Sequence, residues 1–177
     1  MIKGFNNMTK QEEYERKYLV SGVVKNKLWD KEHIVYQWYI KRYANGSVKK
    51  KIIFDITREK IIYVQVEKNL IEWGKATKNI EYLNIETFNP DEMLGVPFVL
   101  KRRAIKNKTF LDKFVESNGI TEYLLECEDD DIGSSSDEYQ ILRDVTQDAR
   151  YYNQNMCTAF TQKDADKLRF LLSVFML

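Results

Sequence analysis

The sequence predicts an α+β protein whose body is an antiparallel β meander or barrel of about eight strands. Three observations predict it. First, aromatic and β-branched runs recur at short spacing near 13–20, 35–43, 48–54, 61–68, 78–86, 98–105, 109–115 and 122–128. Second, good turn formers separate several of them, namely Asn45-Gly46, Asn89-Pro90 and Asn118-Gly119. Third, the pattern becomes helical past Gly133-Ser134-Ser135-Ser136, where Thr161 and Asp164 resemble a capping pair for a helix ending in Phe175-Met176-Leu177. Within the strand region, Ser21 to about Asp30 can form a helix, and Asp91 to Leu94 can begin another after Pro90. With no internal repeat, residues 1–177 read as a single domain. Its barrel spans about 12–130 and its C-terminal helices about 137–177.

The composition excludes several function classes. Lys and Arg number 28 against 27 Asp and Glu, so the chain has no global basic field and stable nucleic-acid binding is not expected. Two cysteines, Cys127 and Cys157, make no disulfide framework and suit a reducing compartment. The start MIKGFNNMTKQEEYE has no apolar signal region, and no run reaches the length of a membrane span. A cytoplasmic protein without a membrane partner is the expectation. The single histidine, His33, rules out two-histidine metal clusters and reads as an ordinary residue near a strand start. No glycine-rich phosphate loop is present, so any phosphate chemistry must rest on side chains.

The strands show charge where a core would show apolar groups. Side chains alternate faces along a strand, so Glu13, Glu15 and Lys17 project together, opposite Tyr14, Arg16 and Tyr18. Hard cations such as Mg²⁺ and Mn²⁺ prefer carboxylate oxygen, and Glu126-Cys127-Glu128 puts a second pair of carboxylates on one strand face. Lys49 and Lys51 share a face, as do Lys101 and Arg103, and Phe110, Asp112 and Phe114. A barrel whose inner face gathers these groups has a charged lumen. Buried charges must be paired, coordinated or hydrated, which points to a charged ligand with a metal. Solvated outer faces carry such lysines as well.

In chain order these segments resemble the CYTH superfamily, the triphosphate tunnel metalloenzymes. Glu13, Glu15 and Lys17 match its ExExK strand, followed by Tyr18-Leu19-Val20. Gln37-Trp38-Tyr39-Ile40 is similar to Q-x-Y-L, and Ser47-Val48-Lys49-Lys50-Lys51-Ile52 to T-V-R-I-R-I. Lys101-Arg102-Arg103 resembles K-x-R, Leu111-Asp112-Lys113-Phe114 resembles [IV]-D-x-F, and Leu125-Glu126-Cys127-Glu128 resembles A-E-[IVL]-E. Residues 144–153 closely follow E-V-T-x-D-x-R-Y-x-N. The resemblance covers about residues 12–157.

The resemblance implies an eight-stranded antiparallel tunnel with flanking helices that takes a triphosphate-containing small molecule and a divalent metal, Mg²⁺ or Mn²⁺. Glu13, Glu15, Glu126 and Glu128 would then be metal ligands. Lys17, Lys49, Lys51, Lys101 and Arg103 would hold phosphate, with Arg150 a contact near the tunnel mouth. Glu13, Glu15 and Lys17 would carry the chemistry, with Glu15 or a metal-bound hydroxide serving as the base. The implied activity is triphosphate hydrolysis. Class IV adenylate cyclase chemistry and non-catalytic polyphosphate or nucleotide binding are the alternatives.

Two departures from the pattern stand out. Val64-Gln65-Val66-Glu67 sits where the family reads L-T-I-K, placing an acid at an expected lysine, and Lys68 follows on the reversed face unless a bulge restores it. Lys78 to Glu86 matches R-x-E-x-E only loosely. At the end of the chain, Leu168, Leu171, Leu172 and Phe175 lie at helical spacing and suit core or dimer contact better than a membrane anchor. A homodimer through the barrel flank or this helix is compatible with the pattern.

Overall fold

A computed structural model of the chain describes residues 9–23, 29–72, 74–117, 123–128 and 139–176. Eight strands form the body: β1 (Thr9–Val23), β2 (Lys31–Tyr43), β3 (Gly46–Asp55), β4 (Lys60–Glu72), β5 (Lys75–Tyr82), β6 (Pro97–Lys106), β7 (Thr109–Glu116) and β8 (Tyr123–Glu128). They pair antiparallel in the order β6-β2-β3-β4-β5-β1-β8-β7, and β7 returns to β6, which closes the barrel. Two shorter strands lie off the ring: β9 (Tyr139–Asp144) pairs with β1, and β10 (Thr158–Ala159) with β6. One α-helix, α1 (Gln162–Phe175), is found among the described residues.

The strands form because their alternating faces bury different things. On β2 and β3, Tyr36, Trp38, Ile52 and Phe54 turn outward and are almost wholly buried with Phe98, Leu100 and Phe160, beneath Ala165 and Leu168 of α1. Edge-on aromatic contacts tighten this layer, such as Trp38 to Phe160 with ring centroids 5.3 Å apart. The stripe Leu168, Leu171, Leu172 and Phe175 thus packs on the barrel wall. A second outer cluster joins Tyr18, Val20, Leu111, Leu125, Cys127 and Tyr139. The third is internal, made of Leu19, Val99, Phe114 and Leu124 with Val145 and Met156.

Helix α1 starts where its caps require. The Thr161 side chain accepts from the Asp164 N–H, and Asp164 in turn accepts from the Thr161 N–H at 2.9 Å. Pro90–Met93 is a short 3-10 turn whose first free N–H, that of Asp91, is accepted by the Asn89 side chain at 3.1 Å.

Several elements differ from the sequence reading. Ser21–Val23 continue β1 rather than starting a helix, while residues 24–28 lie outside the described residues. After residue 137 the chain forms β9 and short 3-10 turns before α1, not a run of helices. The reason is a period of two: Tyr139 is buried and Ile141 packs inward, while Gln140 and Leu142 face solvent. Asn118-Gly119 and the segment at Gly133 lie outside the described residues. No helix among the described residues is long and apolar enough to cross a membrane.

Candidate functional site

The inward row of each strand follows from register. On β1 it is Glu13, Glu15, Lys17 and Leu19; on β8, Glu128, Glu126 and Leu124. On β7 it is Phe110, Asp112 and Phe114; on β6, Arg103, Lys101 and Val99. Opposite them stand Gln37 and Tyr39 of β2 with Lys51 and Lys49 of β3, each directly paired. All four β1, β6, β7 and β8 rows end on the same internal apolar cluster, which forms a floor beyond Lys17, Lys101, Asp112 and Glu126. On β8 and β6 the charged side chains become drier toward it, from 33% exposed at Glu128 to 7% at Glu126 and from 17% at Arg103 to 2% at Lys101. Thr146, Tyr152, Asn153 and Gln154 complete the lining. The segment after β9 is fixed there because the Lys17 carbonyl accepts from the Val145 N–H at 2.8 Å and the Lys17 N–H donates to Thr146 Oγ1 at 3.0 Å.

Ten of these charges form one alternating chain. Glu128 lies 3.5 Å from the Lys78 ammonium, which lies 2.5 Å from Glu13 Oε1. Glu13 Oε2 is 2.9 Å from Lys68, and Lys68 is 3.1 Å from Glu15 Oε2. Glu15 Oε1 is 2.8 Å from Lys17, which reaches Glu126 Oε1 at 3.1 Å. Glu126 Oε2 then pairs with Arg103. Arg103 grips Asp112 with two nitrogens at 2.6 Å, and Asp112 Oδ2 meets the Lys101 ammonium at 2.5 Å. Buried ions are tolerated only when so compensated.

The protonation of these groups reflects their partners. Burial alone would raise the Glu15 carboxyl, but Lys17 and Lys68 outweigh it and hold it well below the usual carboxylate range. Burial would likewise lower Lys17, yet Glu126 and Glu15 raise it above the ordinary lysine value. Glu128 is the exception among the four glutamates. Burial raises its carboxyl in spite of Lys78.

Lys49 and Lys51 stand outside the chain of pairs. Neither has a carboxylate within ion-pair distance among the described residues, although both line the lumen. Lys49 is 9% exposed, and burial together with Lys51 and Lys68 pushes its ammonium well below the ordinary value. Burial, with Arg103 and Lys101, lowers Lys51 to about 7. Basic side chains of the lining outnumber its four carboxylates and the buried Asp112 behind them by two, and those two, Lys49 and Lys51, sit on the β3 wall. Such a pocket attracts a polyanion.

The structure brings Glu13, Glu15, Lys17, Lys49, Lys51, Lys101, Arg103, Glu126 and Glu128 into one lumen. It does not bring Arg150, which is exposed and bound to Asp148 at 2.6 Å, a residue that draws it outward. The expected acid on β4 is also corrected. Lys68 pairs in register with Ser47, two positions from Lys49, with no bulge between Lys60 and Leu70. Lys68 therefore faces the lumen and Glu67 faces away. Lys78 and Asp112 are site residues the reading did not single out as such. The loose β5 match hid Lys78, whereas the inward parity of Asp112 with Phe110 and Phe114 was already visible. His33 stays clear of the lining and stands 3.5 Å from Asp55.

A divalent cation finds suitable donors here, since the glutamates offer only hard carboxylate oxygen. Glu13 Oε2, close to Lys68, is buried without a hydrogen bond. As arranged, however, no three His, Cys, Asp or Glu side chains among the described residues stand together closely enough to hold an ion. Ammonium groups occupy the space between the carboxylates.

No family model and no curated protein matches the chain. Two crystal structures, of the hypothetical protein NE1496 and of the inorganic triphosphatase NE1496, are similar to it at 19% identity and a TM-score of 0.47. Each covers 81% of this chain, and the likeness takes in 95% and 92% of theirs.

Proposed function

We propose that this protein binds a triphosphate by its end in the charged lumen and hydrolyses a phosphoanhydride bond there, with Mg²⁺ or Mn²⁺. The observation that carries the reading is the pair of a buried Lys49 and a half-buried Lys51 in the lumen, without a carboxylate partner among the described residues. Two lysines without acidic partners among the described residues stand opposite a wall of paired charge and can take up protons as phosphoryl oxygens approach, and the apolar floor favours a linear chain that enters end first. Lys17, Lys101 and Arg103 line the same lumen and add contacts to the anion.

Within that reading Lys49 and Lys51 hold and orient the anion. Glu13 and Glu15 would hold the cation, whose charge offsets that building up on the transferred phosphoryl group. Glu126, locked between Lys17 and Arg103, positions those two cations. A water attacks the terminal phosphorus and the bridging P–O bond breaks. Orthophosphate and pyrophosphate leave from tripolyphosphate, and the proton of the water passes to a carboxylate. Glu128 suits that role better than Glu15, because its raised carboxyl is the stronger base. One observation favours a second reading, binding without turnover: every one of the four glutamates already has a cationic partner.

Phosphate release from tripolyphosphate, with ATP alongside, in Mg²⁺, Mn²⁺ and EDTA tests the reading. Metal-dependent release supports it. Tight calorimetric binding with no release over hours favours the second reading, and absence of both rejects the two together.

A further inference from the structure

Lys68 occupies the place a cation would take. Its ammonium stands between the two β1 carboxylates, 2.9 Å from Glu13 Oε2 and 3.1 Å from Glu15 Oε2. A divalent ion shared by the same two oxygens would sit at shorter range in the same space. The expelled ammonium would then face the new ion across a few ångströms of dry lumen, with Lys49 close behind it. Without a counter-charge that exchange is unfavourable.

The β3 wall supplies the place for a counter-charge. Ser47 stands opposite Lys68 in register, and Lys49 is two positions along on the same face. An anion held by Lys49, which is nine-tenths buried and lacks an acidic partner, therefore lies within the sweep of the Lys68 side chain. We infer that Lys68 is a two-position counter-ion. It guards Glu13 and Glu15 while the lumen is empty, and moves to the phosphoryl oxygens when a polyanion arrives, opening the carboxylates to the divalent cation. Cation and polyanion affinities are thereby coupled, each raising the other. The inference rests on the polyanion reading above and assigns Lys68 as a positioning residue that acts through Glu13 and Glu15.

The test measures Mn²⁺ binding to the full chain by electron paramagnetic resonance, in chloride buffer with no phosphate, for wild type, Lys68→Met and Lys68→Arg. Removing the ammonium should tighten Mn²⁺ binding by about tenfold in Lys68→Met, a typical size for a coupling of this kind. Lys68→Arg, which keeps the competing charge, should bind like wild type. A merely structural lysine would not tighten metal binding when removed, so equal or weaker Mn²⁺ binding by Lys68→Met overturns the proposal. If circular dichroism shows that variant unfolded, Lys68→Gln takes its place under the same criteria. In parallel, an imido-bridged tripolyphosphate analogue is titrated by calorimetry into wild type and Lys68→Met in EDTA. Several-fold weaker binding by the variant supports the swing of Lys68 onto the anion. Analogue binding to wild type with Mn²⁺ affinity unmoved by the substitution rejects the Lys68 proposal alone. No analogue binding to wild type rejects the polyanion reading, and the proposal falls with it.

Discussion

Lys49 and Lys51 project into one lumen from alternate positions of β3, and neither meets a carboxylate among the described residues. Their neighbours on the opposite wall are all matched in pairs. Replacing either lysine with methionine should lower kcat/KM for tripolyphosphate by roughly a hundredfold, the scale of losing one charge-assisted contact of up to about 3 kcal/mol. The fold should not suffer. Removing a buried ammonium without a partner relieves a desolvation cost, so the melting temperature should hold or rise.

The acidity of Lys51 gives a pH prediction with a definite sign. Its ammonium titrates at about 7 in the folded protein against 10.5 ordinarily. Between those values the unfolded chain binds more protons, so stability of the empty protein rises with pH from about 7 to 10.5 and this group adds no further slope below 7. Lys49, shifted the same way, adds to the slope. Lys17 and Lys68 are shifted upward, so their contributions fade only above 10.5. Urea unfolding at stepped pH should show this rise and a shallower one in Lys51→Met. Binding of tripolyphosphate at pH 8 should also take up protons, measurable by calorimetry in buffers of different ionisation enthalpy.

Asp112 is wholly buried and holds Lys101 and Arg103 together. Asp112→Ala leaves two buried cations without their shared anion. The expected cost is about 3–5 kcal/mol in urea unfolding, the range for breaking a buried pair from one side. A loss below about 1 kcal/mol would show that the trio is not a unit of the fold.

At the other end of the chain, Thr161→Ala removes the cap that satisfies the Asp164 N–H. It should cost about 1 kcal/mol of stability and leave tripolyphosphate affinity unchanged, since α1 packs on the outer wall.

Much of this arrangement was legible because strand parity is rigid. Once Glu13, Glu15 and Lys17 share a face, Leu19 must follow on it, and the same logic carries Lys101 and Arg103 to Val99. Parity also explains the miss on β4. Its inward row depends on which residue pairs with Ser47, and a shift of one residue exchanged Glu67 for Lys68. The ion pairs were not legible at all. The contact of Lys78 with Glu13, or of Lys68 with two glutamates, joins separate strands across the lumen, and only barrel closure fixes it. Arg150 lies off the lining for a local reason, since its guanidinium is paired with Asp148 two residues earlier. Residues 139–144 misled because an isolated strand beside serines and aspartates lacks a strong pattern until β1 offers an edge.

The lumen is proposed as a working triphosphate site whose two lysines without acidic partners sit on β3. Its most direct test is orthophosphate release from tripolyphosphate by wild type and Lys49→Met/Lys51→Met, in Mg²⁺, Mn²⁺ and EDTA. Release by wild type in metal, none in EDTA, and loss of roughly a hundredfold or more in the double variant are expected. Release by the double variant at the wild-type rate, or no release and no binding by the wild type in any metal, would contradict it.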